Sequence, residues 1–147
     1  RSETRMPETM QLEVVTPSRK VLETAVESVT LPGSEGELGI LPEHIPLVTT
    51  LDTGVLSYSS NGETRALAVH WGYAQVEADR VSVLAELVES DHEIDVDRAK
   101  QAETRARETL SDISVSGDNW EAEQQRLTKY EAKFKRALVR QQVSQFG

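Results

Sequence analysis

The chain has 147 residues, the size of one domain or of one domain with a small appendage. With 25 acidic against 16 basic side chains its formal net charge is −9, which argues against general binding to nucleic-acid phosphates. The absence of cysteine excludes disulfides, thiolate metal sites and a cysteine nucleophile. No apolar run approaches the ~20 residues of a membrane-spanning helix, and the first residues read as polar, without the apolar centre of a signal peptide.

Residues 1–9 are polar and aperiodic and read as a disordered or artificially added tail. From Met10 the texture is that of strands. Met10, Leu12 and Val14 alternate with Gln11 and Glu13, and Pro17-Ser18 marks a turn. Val26, Val29 and Leu31 continue the pattern. Pro32–Gly39 reads as a tight exposed loop with glycines at positive φ, and Ile40–Leu47 as an extended, proline-bounded stretch. Gly54–Tyr58, Thr64–Val69, Tyr73–Val76 and Val81–Val88 are further short runs. Asn61-Gly62 between two of them is a strong hairpin signal. Many short strands separated by turns predict an antiparallel β-sandwich or flattened barrel over residues 10–90.

The period changes at Ile94. No Gly or Pro interrupts residues 94–116, and Val96, Ala99, Ala102, Ala106 and Leu110 recur at spacings of three and four. This predicts a helix capped by Asp95, with an alanine-rich face that permits close approach of a second helix. A polar connection, Ser111–Asp118, precedes a second helix over 119–145, whose inner stripe is Leu127, Tyr130, Phe134, Leu138 and Gln141. Residues 91–147 therefore form a helical hairpin, and the expected class is α+β. Such a hairpin is marginal by itself and must lean on the sandwich, a partner or a ligand.

Charge is split along the same division. Residues 126–147 carry six bases (Arg126, Lys129, Lys133, Lys135, Arg136 and Arg140) and one acid, Glu131. An acidic body with a basic end implies self-docking or two kinds of partner. Catalytic patterns are missing: His44, His70 and His92 stand at no metal-ligand spacing, so no metal site is expected, and His70 beside Trp71 reads as structural. The glycine-rich run lacks the Lys-Ser/Thr of a P-loop, and its glutamates oppose phosphate. The stronger candidate joins Glu89 at the end of the last strand, Asp95 and Arg98 at i,i+3 on the first helix, and Arg136 and Arg140 at i,i+4 on the second. Two arginines on one face can clamp a polyphosphate, and the carboxylates can accept from an amino group or sugar hydroxyls. Spacing alone leaves the alternative of a helix cap with solvated ion pairs.

Gly33–Thr49 (GSEGELGILPEHIPLVT), the strands after it and Ile94–Glu108 (IDVDRAKQAETRARE) resemble the epsilon subunit of bacterial F-type ATP synthases. The resemblance covers roughly residues 10–143, and the order of its halves agrees with the sandwich and hairpin read above. It implies a non-catalytic subunit of the rotor stalk, binding the gamma subunit and the c-ring, peripheral to the cytoplasmic face of the bacterial membrane. Glu37 and His44 carry over as contact candidates for those partners. Ile94-Asp95-Val96-Asp97-Arg98-Ala99 matches the I/L-D-x-x-R-A motif of members whose hairpin binds ATP as a regulatory ligand, and the resemblance extends that role to Glu89, Asp95, Arg98, Arg136 and Arg140. No catalytic cofactor is implied, and the sequence is silent on Mg²⁺. Raised beside gamma, the hairpin would offer Arg126, Lys129, Lys133 and Lys135 as a basic face to the alpha and beta subunits and inhibit hydrolysis. The connection Asp112–Trp120 is longer than in compact ATP-binding members. A purely structural coupling subunit, and an unrelated β-sandwich enzyme or ligand-binding module, are the alternatives.

Overall fold

A computed structural model describes residues 8–146. Eight strands come first: β1 (Met10–Val15), β2 (Lys20–Val26), β3 (Ser28–Gly33), β4 (Gly36–Ile40), β5 (Leu47–Leu51), β6 (Gly54–Ser60), β7 (Glu63–Val76) and β8 (Arg80–Ser90). A 3-10 turn, Asp91–Glu93, then leads into α1 (Val96–Asp112) and α2 (Trp120–Ser144). The α+β class, a β-sandwich followed by a two-helix hairpin, is the one the sequence predicts. The reading of residues 1–9 as a tail falls, for 1–7, outside the described residues.

Strands are ordered β2-β1-β8-β7-β5-β3-β4, with β6 bridging β3 and β7. Pairing is antiparallel except between β1 and β8, which run parallel. Alternation supplies the core: Met10, Leu12 and Val14 of β1 lie beside Val81, Val83 and Ala85 of the paired β8 on one buried face, joined in the interior by Leu31, Ile40, Leu56, Val69 and Val76. Asn61 and Gly62 take φ of 55° and 80°, the two-residue turn that their chemistry favours, and join β6 to β7.

Three local expectations differ from the structure. The runs Thr64–Val69 and Tyr73–Val76 belong to one strand of 14 residues, β7, which pairs with β6 through its first half and with β5 through its second. The changeover is at Trp71, whose φ of 58° is uncommon for a bulky residue, and Gly72, where a Cβ would lie 2.1 Å from the Leu84 carbonyl oxygen. The glycine-rich run is a β3–β4 hairpin turning at Ser34-Glu35. Only Gly36 has positive φ, while Gly33 and Gly39 lie within strands. Ile40–Leu47 is not extended throughout: it turns at Pro42-Glu43, where Glu43 has φ 66° and donates its N–H to the Ala78 carbonyl at 2.6 Å.

Asp95 caps α1 by accepting from the Arg98 N–H at 3.1 Å. α1 stops at Asp112, short of residue 116, and α2 returns alongside it. Gln141 Nε2 donates to Glu103 Oε1 at 2.8 Å, and Arg107 lies over the Phe134 ring at 5.6 Å. Ala99 and Ala106 are buried in the seam. α2 has a second apolar face that the stripe read from sequence omits. Val139 and Val143 bury against Ala68 of β7, flanked by Val55, Ala66 and Ile94. Among the described residues two ion pairs join α2 to the sandwich: Arg140–Glu89 at 2.7 Å and Lys135–Asp52 at 3.2 Å.

Candidate functional site

The cavity of interest lies between the end of β8, the 3-10 turn and the two helices, and has a volume of about 660 Å³. That falls within the range of small-molecule sites, roughly 300–1,000 Å³. Its room comes from the alanine seam, because Ala99, Ala102 and Ala106 line α1 where longer side chains would fill the gap. Glu89 enters from β8, Asp95, Arg98 and Arg105 from α1, and Tyr130, Lys133, Arg136 and Arg140 from α2. The structure therefore brings together Glu89, Asp95, Arg98, Arg136 and Arg140, the whole set singled out from the sequence.

Position is fixed by short polar links. Glu93 accepts from the Ser90 N–H at 2.9 Å and from Arg19 Nη2 at 3.0 Å, tying the 3-10 turn to the β1–β2 connection. Glu89 Oε1 accepts from Arg140 Nε at 2.7 Å and from His70 Nε2 at 3.0 Å. Burial pushes the Glu89 carboxyl up, but the hydrogen bonds and charge of His70 and Arg140 outweigh it and hold the group at about 2.

Five basic and three acidic side chains line the cavity, an excess of positive charge inside an acidic protein. Among the described residues Arg98, Arg105 and Arg136 form no side-chain hydrogen bond or ion pair, and Lys133 is directed at the Tyr130 ring at 5.0 Å. Arginines converging on one space without an ion-pair partner of their own suit a phosphate-bearing ligand, whose oxygens accept their forked donors. Asp95 already occupies the cap of α1, so an anion in the cavity would meet side chains rather than the free N–H groups of the helix start.

Other candidate residues lie elsewhere. Glu37 is exposed on β4 and borders a cleft with Asp52 and Lys135. His44 sits on the β4–β5 connection, its Nδ1 2.7 Å from the Ile45 carbonyl, between the exposed Leu41 (62%) and Ile45 (78%). The basic set on α2 is not one face: Arg126 pairs with Glu123 at 3.1 Å, Lys129 lies over Tyr130, Lys133 lines the cavity, and Lys135 points the opposite way, to Asp52. Sequence reasoning missed Arg105, Lys133 and Tyr130 as lining residues, although Arg105 and Lys133 continue the rows of Arg98 and Arg136 at helical spacing. It also missed His70 as the partner of Glu89, which no local pattern signals.

The carboxyl of Glu89 gives a pH prediction. Its folded-state value, about 2, lies below the ordinary 4.5, so the stability it contributes is fully present above the ordinary value. That contribution is lost as pH falls through about 2. A carboxyl-carbon NMR titration is expected to show this low midpoint, and Arg140→Ala is expected to move it upward. A midpoint at the ordinary value in the parent chain would break the proposed link between hairpin and sandwich.

Comparison with known proteins agrees with this architecture. Residues 9–91 match the family described as ATP synthase, Delta/Epsilon chain, beta-sandwich domain, and residues 92–145 match its long alpha-helix domain. The ATP synthase epsilon chain of Trichlorobacter lovleyi is 42% identical over 139 residues, covering 95% of this chain and 96% of that one. That of Geotalea daltonii is 43% identical over 139 residues with the same coverage. A chain in the OSCP/F1/c-ring structure of Euglena gracilis mitochondrial ATP synthase shares the fold, with a TM-score of 0.73 at 21% identity, over 91% of this chain and 80% of that one. With both halves matched in order and near-complete coverage of its bacterial relatives, the chain belongs to the family of bacterial F-type ATP synthase epsilon chains.

Proposed function

We propose that the chain is a non-catalytic rotor-stalk subunit that couples gamma to the c-ring of a proton- or sodium-translocating ATP synthase. Its hairpin is a mobile brake on ATP hydrolysis, and ATP stabilises the folded-down state. The observation that carries the ATP reading is the cavity itself: Glu89 of the sandwich and Asp95, Arg98, Arg136 and Arg140 of the hairpin line one space. A ligand held by both parts binds the folded-down state better than an extended one, which is the differential affinity a switch requires.

The outer face of the sheet supports docking on gamma. Val48, Tyr73 and Leu84 lie on neighbouring strands of one face, exposed beside Trp71, itself 56% exposed. His44 with Leu41 and Ile45, and Glu37 on β4, are the contact candidates toward the c-ring. In the extended state, Arg126, Lys129 and Lys133 would meet alpha and beta. The place we assign is peripheral, at the cytoplasmic face, held through the partners; no helix among the described residues is long and apolar enough to cross a membrane.

Two measurements test the proposal. Calorimetry of the full chain with ATP is expected to give saturable binding; no saturation at several millimolar would leave a structural coupling subunit without nucleotide sensing. Added to the remaining subunits, the chain is expected to suppress hydrolysis more at low ATP than at high. Equal suppression would remove the sensor, and none would remove the brake.

A further inference from the structure

We propose that His70 is a positioning residue of the cavity: with Arg140 it fixes the Glu89 carboxylate through Oε1, leaving Oε2 and the terminal nitrogens of Arg140 to a bound nucleotide. This inference rests on the nucleotide reading above and adds to it a residue outside the cavity lining.

The register explains how His70 reaches its partner. Ala68 pairs with Glu89 and His70 with Leu87, so His70 and Glu89 are diagonal neighbours across β7 and β8, within reach of a long side chain. His70 is 5% exposed. An ionised carboxylate can only accept, so the imidazole Nε2 carries the hydrogen in the 3.0 Å contact. Nδ1 is then a buried nitrogen without a hydrogen-bond partner among the described residues. A phenyl ring of similar shape would avoid that unpartnered atom, so packing alone does not account for a histidine here.

The second part concerns the oxygen atoms. Oε1 takes both described donors, His70 Nε2 and Arg140 Nε, which uses the two acceptor positions of one oxygen. Oε2 and the four N–H groups on the Arg140 terminal nitrogens have no described hydrogen bond within the protein. Without the imidazole the carboxylate is free to turn and accept the arginine fork on both oxygens, the stronger ion pair. That closed pair would consume the acceptor and donors that the ligand needs, while still holding α2 to the sandwich. Loss of His70 is therefore expected to weaken ligand binding without releasing the hairpin, an outcome that a merely structural histidine would not give.

The test uses the full chain. His70→Phe is expected to raise the Kd for ATP, measured by calorimetry, about tenfold, with resistance of the hairpin to proteolysis unchanged. His70→Gln, whose side-chain amide can donate from a similar position, is expected to restore binding to within about threefold. In a Glu89→Gln background, His70→Phe is expected to add no further loss, because it acts only through that carboxylate. Arginine side-chain NMR without nucleotide gives an independent readout: the Arg140 terminal nitrogens are expected to rotate freely in the parent and in His70→Gln, and to become restricted in His70→Phe. Parent-like ATP affinity in His70→Phe, or equal losses in Phe and Gln variants, would overturn the proposal. If the parent itself binds no ATP, the nucleotide reading falls, and unchanged Arg140 signals in His70→Phe would overturn the positioning role separately.

Discussion

Replacing Arg136 and Arg140 together with alanine is expected to lower affinity for ATP by about two orders of magnitude or more. A hydrogen bond to a charged group contributes roughly 1.5–3 kcal/mol, and each 1.4 kcal/mol is tenfold in Kd. The single variants should behave differently, because the two arginines stand in different surroundings. Arg136 has no described side-chain partner, so Arg136→Ala removes a ligand contact and should change stability by no more than about 0.5 kcal/mol. Arg140 holds Glu89, so Arg140→Ala also strands a carboxylate that keeps only His70 as partner. It should weaken hairpin docking along with ligand binding. Arg136→Lys keeps the charge without the planar fork and should fall between alanine and parent. Calorimetry with ATP and thermal unfolding of each variant make the separation visible. Parent-like binding by Arg136→Ala would remove the phosphate role from this side of the cavity.

The differing fates of Arg136 and Arg140 mark what a linear sequence can carry. Features set by a few adjacent residues were legible. Asn61-Gly62 requires a tight turn whatever surrounds it, Asp95 caps a helix through its own backbone neighbours, and Arg98 and Arg136 lie on faces fixed by helical period. The position of Glu89 at the end of the last strand suggested placing it with them, and the resemblance to a known family strengthened that placing. Features set by the meeting of distant segments were not legible. His70 reaches Glu89 only because β7 and β8 pair in one register, and nothing around His70 in the chain encodes that register. β7 looked like two strands because Trp71 interrupts its alternation, whereas the interruption is a corner at which one strand changes partner. α2 offers apolar residues in two directions. The longer side chains Leu127, Tyr130, Phe134 and Leu138 drew the stripe toward α1, while Val139 and Val143, which hold the hairpin on the sandwich, lay outside it.

Those two valines give the sharpest test of the hairpin as a separable, mobile part. Val143 is 1% exposed and meets Ala68, yet neither belongs to the core between the sheets. Val143→Asp removes roughly 1.5–3 kcal/mol of apolar burial, and the buried, unpaired carboxylate costs several kcal/mol more. The contact it must overcome is small: Val139, Val143 and Ala68 with three partly buried neighbours, plus the ion pairs Arg140–Glu89 and Lys135–Asp52. The hairpin is therefore expected to leave the sandwich, with the sandwich still folded. Limited proteolysis should cut within 91–147 and spare 10–90, and ATP binding should disappear because Glu89 no longer faces the helices. Val143→Ala, which leaves no charge, should cost only about 1–2 kcal/mol and keep the ligand. In the assembled enzyme the outcome distinguishes a brake from a clip. If folding down restrains inhibition, Val143→Asp should inhibit hydrolysis strongly at every ATP concentration, losing the relief that high ATP gives the parent. Inhibition equal to the parent's at low and high ATP alike would mean that the docked position of the hairpin does not govern hydrolysis.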